Sequence, residues 1–213
     1  MRRITSLLVA GFLAAVLAQS ALAAGGSYSF DGGTVRQQAA VRSALDASSF
    51  DWDVLPAPIV VHIEPIAGSY AQPGHVYLDG GLLDSGRYSW GVVQHEFAHQ
   101  IDFLLFDDAT RAMFNRALGG SDWCYGVAGL AHAAYGCERF ASLLAWAYWP
   151  DAANSMSPAS TRGESAAMPP DRFRRLLAEV LGLPRLASPS TARAFAPATK
   201  APGKAGPKPR RRR

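Results

Sequence analysis

The chain has 213 residues, of which 49% are hydrophobic and 18% are charged, a composition typical of one folded globular domain with additional end segments. The formal net charge of +4 comes from the two ends, because residues 24–199 carry 12 basic and 17 acidic side chains. This mildly acidic body gives no indication of specific nucleic-acid binding.

Residues 1–23 have the pattern of a signal peptide. A short basic start precedes an uncharged apolar run over residues 7–18, and Ala21-Leu22-Ala23 supplies the small residues that a signal peptidase requires. The alternative is a membrane anchor, but this run is too short to span a bilayer comfortably. We therefore expect a mature chain that begins near Ala24, has no transmembrane segment and is secreted or held in the cell envelope.

Hydrophobic periodicity and turn residues divide the rest of the chain into short elements. Residues 24–33 are rich in Gly and Ser and are predicted to be a flexible leader. Apolar and β-branched runs predict strands within Pro56–Pro65 and Gly74–Asp79. Apolar residues at helical spacing predict helices over Thr34–Leu45, Ser89–Phe106, Thr110–Leu118, Cys137–Trp149 and Arg172–Leu181. Strands followed by helices indicate an α+β domain over residues 34–184.

Residues 185–213 form a tail rich in Pro, Ala, Lys and Arg, and are predicted to be disordered. Seven of the last 14 residues are basic. Such a tail can bind anionic cell-wall polymer, lipid headgroups or nucleic acid. The other interpretation is a solvated segment that has no partner.

The motif His95-Glu96-Phe97-Ala98-His99 lies inside the longest predicted helix. Residues four apart share one helix face, so the imidazoles of His95 and His99 can bind one Zn²⁺ ion. Glu96 is then placed to act as general base towards a water molecule on that ion. The alternative is two exposed histidines that have this spacing by chance, but the apolar back face of the helix favours the metal site.

A catalytic zinc ion needs a third protein ligand and an open position. No further histidine follows His99 in its helix, so the third ligand must come from elsewhere. Glu138, at the start of the predicted helix Cys137–Trp149, is the best candidate. Its other interpretation is a surface acid that the helix dipole favours. The rival ligands are His132, Asp122 and Asp102.

The stretch His95-Glu96-Phe97-Ala98-His99-Gln100-Ile101-Asp102 resembles the HEFAHxxD stretch of gluzincin peptidases, including the Mlc titration factor family and, more distantly, anthrax lethal factor. In those families a later helix carries the third ligand in a pattern like E-x-F-A, which Glu138-Arg139-Phe140-Ala141 matches. The resemblance implies a minimal zincin-like fold, a small twisted sheet packed on the active-site helix. It also implies His95, His99 and Glu138 as zinc ligands and Glu96 as the base. Thermolysin-like members carry an acid four residues after the third ligand, and Ser142 here departs from that pattern.

Supporting roles are assigned to several neighbouring residues. Asp102 is expected either to hydrogen-bond a ligand imidazole or to be an ordinary surface acid. Tyr135 is our candidate to stabilise the developing oxyanion, with His132 and Tyr125 as alternatives. The resemblance implies that Val76 and Tyr77 form a sheet edge that pairs with an extended peptide.

Two cysteines, Cys124 and Cys137, fall in the predicted exported part of the chain. An even count in an oxidising compartment predicts one disulfide, which would fix the start of the helix that carries Glu138. Two buried free thiols are the alternative.

Three functions compete at this point. The first is an exported zinc endopeptidase that acts on peptides or proteins. The second is a hydrolase of cell-wall peptides that uses the basic tail to hold anionic polymer. The third is a zinc-stabilised binding module without catalysis, although a structural site has no need of Glu96.

Overall fold

The computed structural model describes residues 27–183, so the predicted signal peptide over residues 1–23 and the predicted tail over residues 185–213 lie outside the described residues. Over this range the chain forms an α+β domain of one mixed four-stranded sheet and six α-helices. The predicted fold class is confirmed at this level.

The sheet consists of β1 (Tyr28–Gly32), β2 (Ile59–Glu64), β3 (Tyr70–Gln72) and β4 (His75–Asp79). The strand order is β1-β2-β4-β3. Strands β1, β2 and β4 are parallel to one another, and β3 pairs antiparallel with β4. Alternate residues of β2 and β4 are buried, as a sheet with one face on the core requires.

Strand β1 corrects the prediction of a flexible leader over residues 24–33. Tyr28 and Phe30 alternate with exposed residues and pack against the core, while the backbone pairs with β2. The surrounding glycines conceal this alternation in the sequence. Gly33 belongs to the fold as well, because its φ is +72° and an added Cβ would lie 2.7 Å from the Ile63 side chain.

The position of β4 corrects a second prediction. Val76 and Tyr77 do not lie at an edge, since Val76 pairs with Val61 on one side and with Ala71 on the other. The edge next to the helix that carries His95 and His99 is instead β3, a strand that was not predicted because only its three residues are paired.

The helices follow the predicted order, with one short addition after β4. Their bounds are α1 (Val35–Ala47), α2 (Gly80–Leu83), α3 (Tyr88–Leu105), α4 (Asp108–Leu118), α5 (Gly136–Tyr148) and α6 (Pro170–Leu181). Thr34 caps α1 through a capping box with Gln37. Helix α3 begins one residue before the predicted start at Ser89, and the Ser89 hydroxyl donates to the Gly86 carbonyl.

Helix α3 lies at the centre of the domain, between α1, α5 and the sheet. Its residues Val93, Phe97 and Ile101 are fully buried, and Phe97 packs edge-on against the Trp52 ring at 5.8 Å. Burying three such side chains stabilises the fold by roughly 1.5–3 kcal/mol each. The opposite side of α3 faces α5 and is therefore held rigidly where His95 and His99 project.

Gln100 ties α3 to the β3–β4 turn. Its side chain is fully buried, donates to the carbonyls of Gln72 and His75 and accepts from the Gly74 amide. These three hydrogen bonds all go to the same turn and fix the edge strand beside the histidines. Within residues 27–183, no helix is both long enough and apolar enough to cross a membrane.

Candidate metal centre

His95 and His99 project from the same face of α3, as their spacing predicts. Both side chains are buried, and their Nε2 atoms lie 3.2 Å apart. The Nε2 atoms therefore face one common point, an arrangement that two exposed histidines would not keep.

Glu138 reaches the same point from the first turn of α5. Its Oε2 atom lies 3.1 Å from His95 Nε2 and 3.5 Å from His99 Nε2. Ligands about 2.0–2.1 Å from a tetrahedral zinc ion are about 3.3 Å from one another. The three separations fit that figure, so these two nitrogens and one oxygen have the chemistry and spacing of a zinc-ligand set.

Glu96 lies beside this set without belonging to it. Its carboxylate is buried, lines the same cleft and makes no hydrogen bond with another described residue. A carboxylate oxygen of Glu96 lies within 4.8 Å of ligand nitrogens of His95 and His99. The carboxylate is thus near enough to act on a molecule held at the common point, and no hydrogen bond within residues 27–183 occupies it.

The two carboxylates have opposite electrostatic surroundings. Burial raises the pKa of Glu96. Burial also disfavours the charged form of Glu138, but hydrogen bonds with His95 and His99 outweigh it and hold the pKa of Glu138 well below its usual range. Glu138 thus stays ionised, as a metal ligand must. The raised pKa of Glu96 is closer to the pKa of an effective general base at neutral pH.

Ser142 and Glu164 orient His95 from behind. The Ser142 hydroxyl donates to Glu164 Oε2 at 2.7 Å, so its oxygen accepts from His95 Nδ1 at 3.1 Å. His95 Nδ1 thus keeps a proton, so Nε2 is the nitrogen that would lose its proton and bind a metal ion. His99 Nδ1, by contrast, is buried and has no hydrogen-bond partner in the structure.

Glu164, which lies in the polar segment after α5, was not predicted from the sequence to take part in the site. The serine at position 142, where thermolysin-like peptidases have an acid, was the available signal. Its small hydroxyl leaves room for a carboxylate from another segment behind it. Glu164 Oε1 also accepts from His132 Nδ1 at 2.7 Å. One carboxylate therefore orients two imidazoles of the cleft.

His132 and Tyr125 come from the irregular segment before α5 and face Glu138. His132 Nε2 lies 3.2 Å from Glu138 Oε2, and the Tyr125 hydroxyl donates to Glu138 Oε1 at 2.9 Å. The hydrogen bond with Glu164 raises the pKa of His132. Both side chains line the cleft, so each offers a hydrogen-bond donor next to the proposed metal position.

Tyr125 has a φ of 57°, in the left-handed region that a tyrosine rarely adopts. Its ring packs on that of Tyr135 at 4.2 Å. Tyr135 itself does not line the cleft, and its hydroxyl donates to the Val127 carbonyl at 2.7 Å. The prediction of Tyr135 as the oxyanion stabiliser is therefore wrong, and its ring instead supports Tyr125.

Asp102 does not contact a ligand imidazole as predicted. It is buried, and its carboxylate accepts from Arg111 Nε at 2.8 Å and from Trp123 Nε1 at 3.1 Å. Asp102 thus joins α3 to α4 and to the segment that carries Tyr125. Asp122, a rival ligand in the sequence, instead accepts from the backbone amide of Gly126 at 2.7 Å.

The predicted disulfide between Cys124 and Cys137 is present, with a Cα–Cα distance of 5.4 Å. Cys124 precedes Tyr125, and Cys137 precedes Glu138. The bond therefore joins the two backbone positions from which these interacting side chains project. Together with the Asp102–Trp123 hydrogen bonds, it fixes this segment over the cleft.

The cleft has a volume of about 440 Å³ and opens between edge strand β3 and the segment before α5. Ser69, Tyr70 and Ala71 line one wall, and Phe103 and Tyr125 contribute apolar surface. The floor carries the three converging ligand atoms.

Comparisons of the chain with family models, with curated proteins and with solved structures find no match in any of the three. A functional proposal for this chain therefore depends on the geometry of the site and on the two short motifs.

Proposed function

We propose that this protein is an exported zinc metallopeptidase of gluzincin type with a minimal zincin-like fold. The observation that carries this proposal is the convergence of His95 Nε2, His99 Nε2 and Glu138 Oε2 at mutual distances of 3.1–3.5 Å, beside the buried Glu96 carboxylate, which makes no hydrogen bond with another described residue.

The cleft residues have the roles that peptide hydrolysis requires. His95, His99 and Glu138 would hold the zinc ion, which would supply a Lewis acid for the substrate carbonyl and for water. Glu96 would accept a proton from the attacking water and pass it to the leaving amine. Tyr125 and His132 face the ligand set from the other wall, where their donors stabilise the negative charge that develops on the carbonyl oxygen.

A peptide or protein substrate fits the shape of the cleft. The outer side of β3 has no partner strand within residues 27–183, and its residues Tyr70 and Ala71 line the cleft together with the preceding Ser69. An extended peptide can add to such an edge through main-chain hydrogen bonds. We therefore assign the pairing with an extended peptide to the β3 edge instead of to Val76 and Tyr77.

Export is proposed from two independent features. The sequence of residues 1–23 has the signal-peptide pattern, and the Cys124–Cys137 disulfide is stable in an oxidising compartment.

The test uses the mature protein, residues 24–213, with Glu96→Gln as the variant and Glu179→Gln on the exposed side of α6 as the matched control. We expect about one zinc ion per chain in all three proteins. Cleavage of a mixed peptide library should fall about 10²–10⁴-fold in Glu96→Gln alone. Full activity of Glu96→Gln would contradict the mechanism, and tight zinc without any cleavage would indicate a zinc-stabilised binding module instead.

The basic tail favours a second candidate, a hydrolase of cell-wall peptides. The seven basic residues among its last 14 would hold anionic wall polymer. Deletion of residues 188–213 should then reduce wall binding and leave cleavage of a soluble peptide unchanged. Wall binding that survives the deletion would count against this candidate.

A further inference from the structure

A second group of histidines lies on the sheet face opposite the helices. The buried residues of β2 and β4 alternate with His62, His75 and Tyr77, which therefore project from the other face. This group is separate from the cleft, since none of the three lines it.

The rings of this face are held in fixed orientations by stacking. His62 stacks on Tyr77 with ring centroids 4.4 Å apart, and Tyr77 stacks on Tyr70 at 4.5 Å, each pair inclined by only 9°. The His62 side chain is 14% exposed. Its imidazole therefore loses little further freedom when it binds a ligand.

Asp31 on β1 determines which nitrogen of His62 is available. Its Oδ2 atom lies 3.0 Å from His62 Nδ1. The carboxylate accepts the Nδ1 proton, so the Nε2 lone pair is left facing His75. A carboxylate behind a histidine in this way is the usual partner of a metal-binding imidazole, because it fixes the tautomer and raises the basicity of the other nitrogen.

His75 completes a pair of nitrogen ligands. His75 Nδ1 lies 3.0 Å from His62 Nε2. Two nitrogens bound about 2.0 Å from one metal ion are about 2.8 Å apart at a right angle and about 3.3 Å apart in a tetrahedron. The observed separation lies between these figures, so both nitrogens can bind one ion, and nitrogen sites bind Cu²⁺ most tightly among the divalent first-row metals.

We propose that His62 and His75 bind a divalent transition-metal ion, Cu²⁺ most tightly, with Asp31 orienting His62. In the metal-free protein one proton lies between the two nitrogens, and metal binding displaces it. Water completes the coordination, so we expect the ion to be exchangeable. This site is independent of the zinc centre proposed above.

The test is Cu²⁺ titration of the mature full-length protein, followed by electron paramagnetic resonance, in a two-by-two set of variants. One change is His62→Gln with His75→Gln; the other is His95→Gln with His99→Gln. Because Cu²⁺ also competes well for a zinc site, we expect about two Cu²⁺ ions per parent chain, about one in each double variant and none in the combination. Circular dichroism confirms that each variant is folded.

Two single variants identify the orienting role. Asp31→Asn should weaken Cu²⁺ binding at the sheet about 10–100-fold. Glu64→Gln, the control, removes an exposed acid from the same face of β2 and should leave binding unchanged. The proposal is overturned if His62→Gln with His75→Gln leaves both the stoichiometry and the nitrogen couplings of the parent unchanged. Failure of the zinc centre would instead leave His95→Gln with His99→Gln without effect.

Discussion

Glu164 lies two hydrogen bonds away from the proposed metal position, and its replacement tests how the site is held together. In Glu164→Gln, one of the two acceptor oxygens becomes an NH₂ group. If that group faces Ser142, the Ser142 proton turns towards His95 Nδ1, and His95 must move its own proton to Nε2. A protonated Nε2 cannot bind zinc.

The expected loss follows from the bonds that are broken. Glu164 accepts two hydrogen bonds at 2.7 Å, from Ser142 and His132. A hydrogen bond to a charged group contributes about 1.5–3 kcal/mol, and every 1.4 kcal/mol is about tenfold in affinity. We therefore expect zinc affinity to fall about 10–100-fold, which agrees with the usual effect of losing a residue that orients a metal ligand.

The assay is zinc affinity by competition with a chromophoric chelator, with Glu179→Gln as the control. Ser142→Asp in the Glu164→Gln background should restore affinity, because a carboxylate then accepts directly from His95 Nδ1. Affinity within about twofold of the parent in Glu164→Gln, outside the expected 10–100-fold range, would refute this reasoning. A double variant no better than Glu164→Gln would also refute it.

Three further predictions concern the walls of the cleft. Tyr125→Phe should lower kcat about 10²-fold at saturating zinc, because a donor to the oxyanion is lost; saturating zinc is used because Tyr125 also donates to Glu138. Tyr135→Phe should leave kcat nearly unchanged, and equal effects would contradict their separate roles. Reduction of the Cys124–Cys137 bond should lower the free energy of unfolding by about 3 kcal/mol and weaken zinc binding. Equal zinc affinity with and without reductant would contradict the link between the disulfide and the zinc site. Burial raises the pKa of Glu164, but the hydrogen bonds from His132 and Ser142 outweigh it and lower that pKa below its ordinary 4.5. The contribution of Glu164 to stability is therefore present above that pH and is lost as the pH falls through the lowered value. The melting temperature of zinc-free Glu164→Gln should approach that of the parent in acid, and a difference that stays constant with pH would contradict this prediction.

Local patterns made much of the site predictable from the sequence. The spacing of His95 and His99 fixes one helix face because the helix repeat is regular. Glu138 followed from its place in a predicted first turn and from the match to a short motif. Neither inference requires knowledge of contacts between distant segments.

The remaining features depend on contacts that no local pattern records. Asp102 lies on the same side of α3 as His99 by its spacing, yet Arg111 and Trp123 occupy its carboxylate. Glu164 is 26 positions after Glu138, in a segment without periodicity, and only the packing of that segment on α5 brings it to Ser142. The choice between Tyr125 and Tyr135 likewise depends on one left-handed residue.

The state of Glu96 separates a catalytic centre from a structural one. A site that only stabilises a fold is closed by its ligands, and a buried carboxylate beside it would be expected to carry a partner, because an unpaired buried charge is costly. Glu96 is buried, opens onto the cleft and makes no hydrogen bond with another described residue. The carboxylate is thus available to act on a molecule held at the metal. Because burial disfavours its charged form, Glu96→Gln should stabilise the zinc-free fold while it lowers cleavage about 10²–10⁴-fold. A measured loss of stability in the zinc-free Glu96→Gln variant would show that the carboxylate has a structural role instead.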